Sequence, residues 1–292
     1  MPAEVRYYTD PACPRSWAGE PELRRLMWEF GDELRFTWVM GGLARRFGPE
    51  YRDADAGIGA GPDPFADLLA HWLEVTAESG MPIDPRLWRE SPIASTYPAC
   101  QAVEAAAEQG PERAYAYLRR LREGLLTERR KLDHSEALVG EAARAGLDAE
   151  RFRIDLSSNA ITEAFAADLD EVRTITDEAR GAGAATETEG RERLAFPSAL
   201  FVDEDGGRRG VWKRQPYEAY REAAIACGAR PVVERLAEPL EVVERFGRAA
   251  TREVEVITGR PRPVAEAELW SLVREWRLRA IPVLNGVLWE LP

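Results

Sequence analysis

Asp10-Pro11-Ala12-Cys13-Pro14-Arg15-Ser16-Trp17-Ala18-Gly19-Glu20-Pro21 stands near the start of a 292-residue chain. Before it runs a β-rich segment, Val5-Arg6-Tyr7-Tyr8-Thr9. After it, Leu23, Leu26, Met27 and Phe30 recur at helical spacing. This places Cys13 where a strand runs into the first turn of a helix. Unpaired N–H groups and the positive end of the helix dipole favour a thiolate at such a position. The thiolate, not the thiol, attacks disulfides.

The stretch resembles the active site of the DsbA-like branch of the thioredoxin-fold family, whose pattern often reads D-P-x-C-x-x-C-x-W-x-x-E-P. Cys13, Trp17, Glu20 and Pro21 fit that pattern, and Ser16 replaces the second cysteine to give a Cys-x-x-Ser motif. The resemblance implies an α/β thioredoxin-like fold with a helical insertion. It also implies a cis-proline at the head of the strand facing the cysteine, and Pro197 in Leu194-Ala195-Phe196-Pro197-Ser198 matches that place. The catalytic candidates are then Cys13, Ser16 and Pro197. Pro14, Arg15, Trp17, Glu20 and Phe196 are candidates for contact with substrate. An extended substrate would pair with the strand edge beside the cysteine. Ser16 alternatively caps the helix, and Glu20 is alternatively a surface carboxylate.

In order along the chain, residues 4–9 read as the first strand. A helix follows to about Phe30, kinked or restarted at Pro21. Leu34–Met40 alternates apolar and polar residues and reads as a second strand, ended by Gly41-Gly42. Strand, helix and strand at this spacing form a parallel βαβ unit. The glycine-rich run Gly57-Ile58-Gly59-Ala60-Gly61 reads as a flexible lid or connection, since it opens no nucleotide-binding helix. Apolar stripes through Leu68, Trp72, Val103, Leu118 and Leu121 make an inserted helical region of about 62–180. Residues 181–193 are small and charged and read as a loop or frayed helix. Ser198–Asp203 and Arg208–Lys213 flank a turn and read as a hairpin. A helix from about Pro216 to Cys227 closes a first domain of 1–230.

A prolyl linker leads to residues 240–292. Three helical stretches there precede two apolar runs joined by Asn285-Gly286, a hairpin signal. Three helices and a hairpin suggest a small winged-helix-like α+β module, with Leu240, Val243, Phe246, Val254, Ile257, Leu269, Leu272, Val273 and Trp276 as its apolar stripes. From Pro239 onward there are eight Arg and eight Glu and no Lys or Asp. A neutral module favours contact with protein over DNA.

The whole chain carries a net charge of −12, which argues against general nucleic-acid or anionic-membrane binding. No apolar run is long enough to span a membrane, and the Met1-Pro2-Ala3-Glu4 start carries no secretory pattern. Three widely spaced cysteines fit a reducing cytoplasm. Cys100 and Cys227 read as buried structural residues or, alternatively, as resolving thiols. His71 and His134 read as ordinary residues, and no metal spacing is present.

Two functions compete. In the first, Cys13 attacks a disulfide in a protein or low-molecular-weight thiol conjugate, and an external or distant thiol resolves the mixed disulfide. No metal or organic cofactor is then needed beyond a thiol donor. In the second, the chain is a non-catalytic adaptor. It resembles cytoplasmic DsbA-like proteins of the SpxH (YjbH) type, which deliver a regulator to the ClpXP protease. Its partners would be that regulator and the protease. A third branch, the hydroxychromene-carboxylate isomerases, uses a serine and glutathione and ranks lower because Cys13 is retained.

Overall fold

The computed structural model describes residues 2–59 and 61–292. The loop reading at Ala60 and the expected domain start at Met1 lie outside the described residues. Strand β1 (Ala3–Thr9) leads through Cys13 into helix α1 (Pro14–Ala18), then α2 (Glu20–Phe30) and β2 (Leu34–Met40). The helix break falls at Gly19, and Pro21 lies in the first turn of α2, where its missing N–H costs no helix bond. β1 and β2 pair in parallel, with Tyr7 opposite Trp38.

Among the described residues, eight helices follow: α3 (Pro64–Ser79), α4 (Leu87–Glu90), α5 (Tyr97–Ala107), α6 (Pro111–Leu126), α7 (Ser135–Arg144), α8 (Ala149–Leu156), α9 (Asn159–Arg173) and α10 (Asp177–Gly181). Local chemistry sets their ends. The Asp63 carboxylate accepts from the Phe65 N–H at 3.0 Å to start α3, and Gly80, at φ +74°, stops it.

Residues 181–193 depart from the sequence reading. They hold a hairpin of β3 (Ala185–Thr188) and β4 (Arg191–Leu194), turning at Glu189 and Gly190, both with positive φ. Its strands carry charged side chains, so no apolar alternation marks them. The glycine-rich loop also departs from it. Asp53 bridges to Ile58 and Thr188, and the Ala54 N–H donates to Glu187, so the loop is fastened to this hairpin.

β5 (Ser198–Val202) runs antiparallel to β1, with Tyr8 opposite Ser198, and β6 (Arg208–Val211) returns along it. The sheet order is β2-β1-β5-β6. Helix α11 (Tyr217–Ala226) packs against β6 and α2. The tail then runs α12 (Pro239–Phe246), β7 (Arg248–Ala250), α13 (Thr251–Thr258), α14 (Arg262–Arg274), β8 (Arg279–Val283) and β9 (Gly286–Glu290). Its sheet order is β7-β9-β8. Val242, Val243, Val254, Ile257, Leu269 and Trp289 form its core. Trp276 does not join them. It follows the end of α14 at φ +59° and is 87 % exposed. No helix among the described residues is long and apolar enough to cross a membrane.

The tail docks on the body through α13 against α2, and Ala250 and Leu288 belong to the body's core. At this seam lies a buried ion cluster. Glu20, Glu123 and Glu253 face Arg24, Arg119 and Arg122, and every one of the six is buried. Arg119 grips Glu253 with two hydrogen bonds, at 2.8 and 3.0 Å, and Glu123 at 2.8 Å. Arg24 lies 3.1 Å from Glu253 and donates to the Arg248 carbonyl at 2.7 Å. Arg122 pairs with Glu20 and donates to the Thr9 hydroxyl. Burial alone would push the Glu20 carboxyl up; Arg122, Arg119 and Arg24 outweigh it and hold it below the usual range.

Removing one partner from such a cluster strands a buried charge, which costs about 3 kcal/mol. Glu253→Gln should lower the urea midpoint accordingly and speed tryptic cleavage at Arg235. An unchanged midpoint and cleavage rate would show that the seam does not depend on the cluster.

A second pair, half-buried, lies between α5 and α9. Burial and Asp168 push the Glu104 carboxyl up to about 9, and Asp168 itself rises to about 6. Asp168 also accepts the Met40 N–H at 2.6 Å. A folded-state value raised above the ordinary 4.5 means that the contribution is full at low pH. It is lost as pH rises toward about 9. Glu104→Gln, which needs no proton, should flatten the fall in melting temperature across that range. A variant with the parent's slope refutes the assignment.

Candidate active site

Cys13 is the N-cap of α1, and its sulfur accepts the Ser16 N–H at 3.4 Å. The strand β1 delivers it there through a turn in which the Cys13 N–H donates to the Asp10 carbonyl at 3.2 Å. Asp10 is fully buried. One carboxylate oxygen accepts the Ala12 N–H at 2.8 Å; the other accepts the Leu43 N–H at 2.7 Å and the Cys100 thiol at 3.3 Å. Asp10 therefore ties the Cys13 turn to the end of β2 and to α5. Burial and Asp10 push the Cys100 thiol well up, so it serves here as a hydrogen-bond donor.

The thiolate expected at Cys13 meets an opposing environment. Cys13 is 5 % exposed, and burial pushes its thiol up while Ser16 beside the sulfur pulls the other way. Helix α1 has only five residues, so few peptide dipoles add up at its start.

The Phe196–Pro197 peptide bond is cis, immediately before β5. Pro197 lies against the α1–α2 junction: a Cβ on Gly19 would stand 3.2 Å from its ring. Phe196 lies against Gly41, where a Cβ would fall 1.9 Å from the aromatic ring. The Arg193 guanidinium lies over the same ring, 4.5 Å from its centre. Arg193 is fixed by Asp53 at 3.1 Å and by the Thr188 hydroxyl at 2.8 Å.

Cys13, Pro14, Arg15 and Phe196 line one narrow cleft. Its other walls are Tyr51, Asp53, Asp55 and Ile58 from the fastened loop, and His71, Trp72 and Trp88 from α3 and α4. Arg15 faces Asp55 at 3.9 Å. His71 is buried, and burial together with Arg15 pushes its imidazole down, keeping it neutral. Trp17 and Glu20 are not part of the cleft. Trp17 is fully buried, donates to the Pro82 carbonyl at 2.9 Å and lies 4.2 Å from Arg119. Glu20 sits in the ion cluster. Both readings as substrate contacts are corrected, because the turn that presents Cys13 to the cleft points these two inward. Among the described residues, no three His, Cys, Asp or Glu side chains gather as a metal-holding group.

His71, Arg193 and Asp53 carry much of this site together with Asp10, and no sequence motif marks those three. Asp10 alone stood inside the quoted stretch.

Comparison with known proteins places this geometry. A thioredoxin family model matches residues 7–176. The ClpXP adapter protein SpxH of Halalkalibacterium halodurans is 28 % identical over 301 residues, covering 99 % of this chain and 89 % of that protein. A putative protein disulfide isomerase from Nitrosomonas europaea has a similar structure, with a TM-score of 0.60 and 19 % identity, over 77 % of this chain and 97 % of that one. The cytosolic disulfide reductase DsbM of Pseudomonas aeruginosa gives a TM-score of 0.54 at 20 % identity, over 76 % of this chain and 98 % of that one. At these identities the two structures speak for the fold alone.

A buried, unactivated thiol reacts slowly. Alkylation of Cys13 should be slow at neutral pH and should rise with pH past the ordinary thiol value of about 8.5, with Cys100 and Cys227 replaced by Ala. Rapid labelling at pH 7 would contradict the burial argument.

Proposed function

The chain belongs to the DsbA-like thioredoxin-fold family, and from that premise we propose that it is a protein-binding adaptor of the SpxH kind rather than a turnover oxidoreductase. The observation that carries this reading is the state of Cys13. Its sulfur is buried, its thiol is pushed up, and the position of a resolving cysteine holds Ser16. A site of that kind retains the shape of a thiol–disulfide centre while lacking the low thiol pKa that drives one. The docked tail supports the same reading. The SpxH relative is matched along almost all of this chain, tail included, whereas the two solved neighbours are matched over about three quarters of it. The partners are then a regulator protein and the ClpXP protease.

A second reading has one specific feature in its favour. Cys13 shares its cleft with Phe196, beside a cis-proline at a strand edge, the arrangement in which an extended disulfide substrate is presented to sulfur. In that reading the Cys13 thiolate displaces one sulfur of the substrate. An external thiol then attacks the mixed disulfide and regenerates Cys13.

The two are separated by one substitution. If the chain is an adaptor, its deletion should lengthen the half-life of a small set of proteins as loss of ClpX does, and Cys13→Ser should restore turnover. Failure of a folded Cys13→Ser variant to restore it, together with Cys13-dependent reduction of a small disulfide in vitro, would overturn the adaptor reading.

A further inference from the structure

A groove of about 1120 Å³ lies on the molecule apart from the Cys13 cleft, and the two share no lining residue. It runs between β2, α6 and the α12–β7 corner of the tail. β2 is the edge strand of its sheet, so its outer side pairs with no strand among the described residues. Phe36, Trp38 and Tyr115 form a continuous stack along this wall, with ring centres 5.4 and 5.1 Å apart. Trp38 is 7 % exposed, and its indole N–H has no hydrogen-bond partner among the described residues.

Most of the arginines that line the groove are bound to carboxylates in or beneath it: Arg24 and Arg119 to Glu253, and Arg120, Arg130 and Arg144 to Glu141. In a chain of net charge −12, eight arginines and five carboxylates line it. Three of those carboxylates, Glu123, Glu128 and Glu290, are already bound by Arg248. Arg35 on β2 and Arg245 on α12 are exposed, and neither has a carboxylate partner among the described residues. An unpaired strand edge, an aromatic stack and two guanidinium groups without a carboxylate partner among the described residues match the three needs of an extended acidic peptide: backbone pairing, an apolar anchor and charge.

We propose that this groove docks an extended acidic segment of a partner protein, with carboxylates on Arg35 and Arg245 and an aromatic or aliphatic side chain on the Phe36–Trp38–Tyr115 stack. A second copy of this chain fits less well, since two bodies of net charge −12 repel. The proposal goes beyond the reading at Cys13 and does not depend on it.

The test uses the full chain and a fluorescein-labelled heptapeptide alternating glutamate with phenylalanine and leucine. A lysine counterpart and a short DNA duplex serve as the other probes. Fluorescence polarisation should show binding of the acidic peptide that weakens at least tenfold in the Arg35→Glu/Arg245→Glu variant. Because both side chains are exposed, that variant should keep the parent's circular dichroism and melting temperature. Cys13→Ala should bind as the parent does, which separates failure here from failure of the adaptor reading. No binding, binding of the lysine peptide as tight as the acidic one, or binding indifferent to the double substitution overturns the proposal. DNA binding lost in the same variant would assign the groove to polyanions and overturn it as well.

Discussion

The six buried charges around Glu20, Arg119 and Glu253 are the constraint on which the arrangement of this molecule depends. They come from three parts of the chain far apart in sequence: α2 behind the cysteine turn, α6 of the insertion, and α13 of the tail. Isolated, each would be costly to remove from water; together, three carboxylates against three guanidiniums are nearly all hydrogen-bonded. Such a cluster tolerates only one relative placement of the three helices. It need not add net stability over an apolar seam. Its effect is specificity, because any slip leaves an ion without a partner in a low-dielectric interior.

That constraint also settles the use of the cysteine motif. Glu20 is within two helical turns of Cys13 in sequence, yet its carboxylate is committed to Arg122, Arg119 and Tyr115. Trp17, held between Pro82 and Arg119, is committed likewise. The residues left to face the cleft are Cys13, Pro14 and Arg15, and they meet a wall from the insertion and the fastened loop. The site keeps its shape through Asp10 and Arg193, both buried and fully engaged. Burial pushes the Cys13 thiol up and outweighs Arg193, which lines that cleft and pulls the thiol down.

The groove on the far side of Arg119 and Arg24 reflects the same organisation. Those two arginines line it while pairing with Glu253 beneath, so the seam that fastens the tail also forms part of the groove. A body alone would lack the α12–β7 wall.

Much of this was legible in the residues. The βαβ start, the restart of the helix at Pro21, the Ser198–Val211 hairpin and the Asn285-Gly286 turn follow from local periodicity and turn chemistry, which act within a few residues. The order of helices and hairpin in the tail was readable for the same reason. The β3–β4 hairpin was not, because its strands bear charges and its pairing is sustained by Asp53 and Arg193 from distant parts of the chain. Nor was the inward turn of Trp17 and Glu20. The sequence by itself determined the elements and the position of one cysteine at a strand–helix junction, since those rest on neighbouring residues. Only the tertiary structure decided that this cysteine is buried and that Glu20 belongs to a buried ion cluster, because burial and the balance of charge are set by side chains contributed from the rest of the chain.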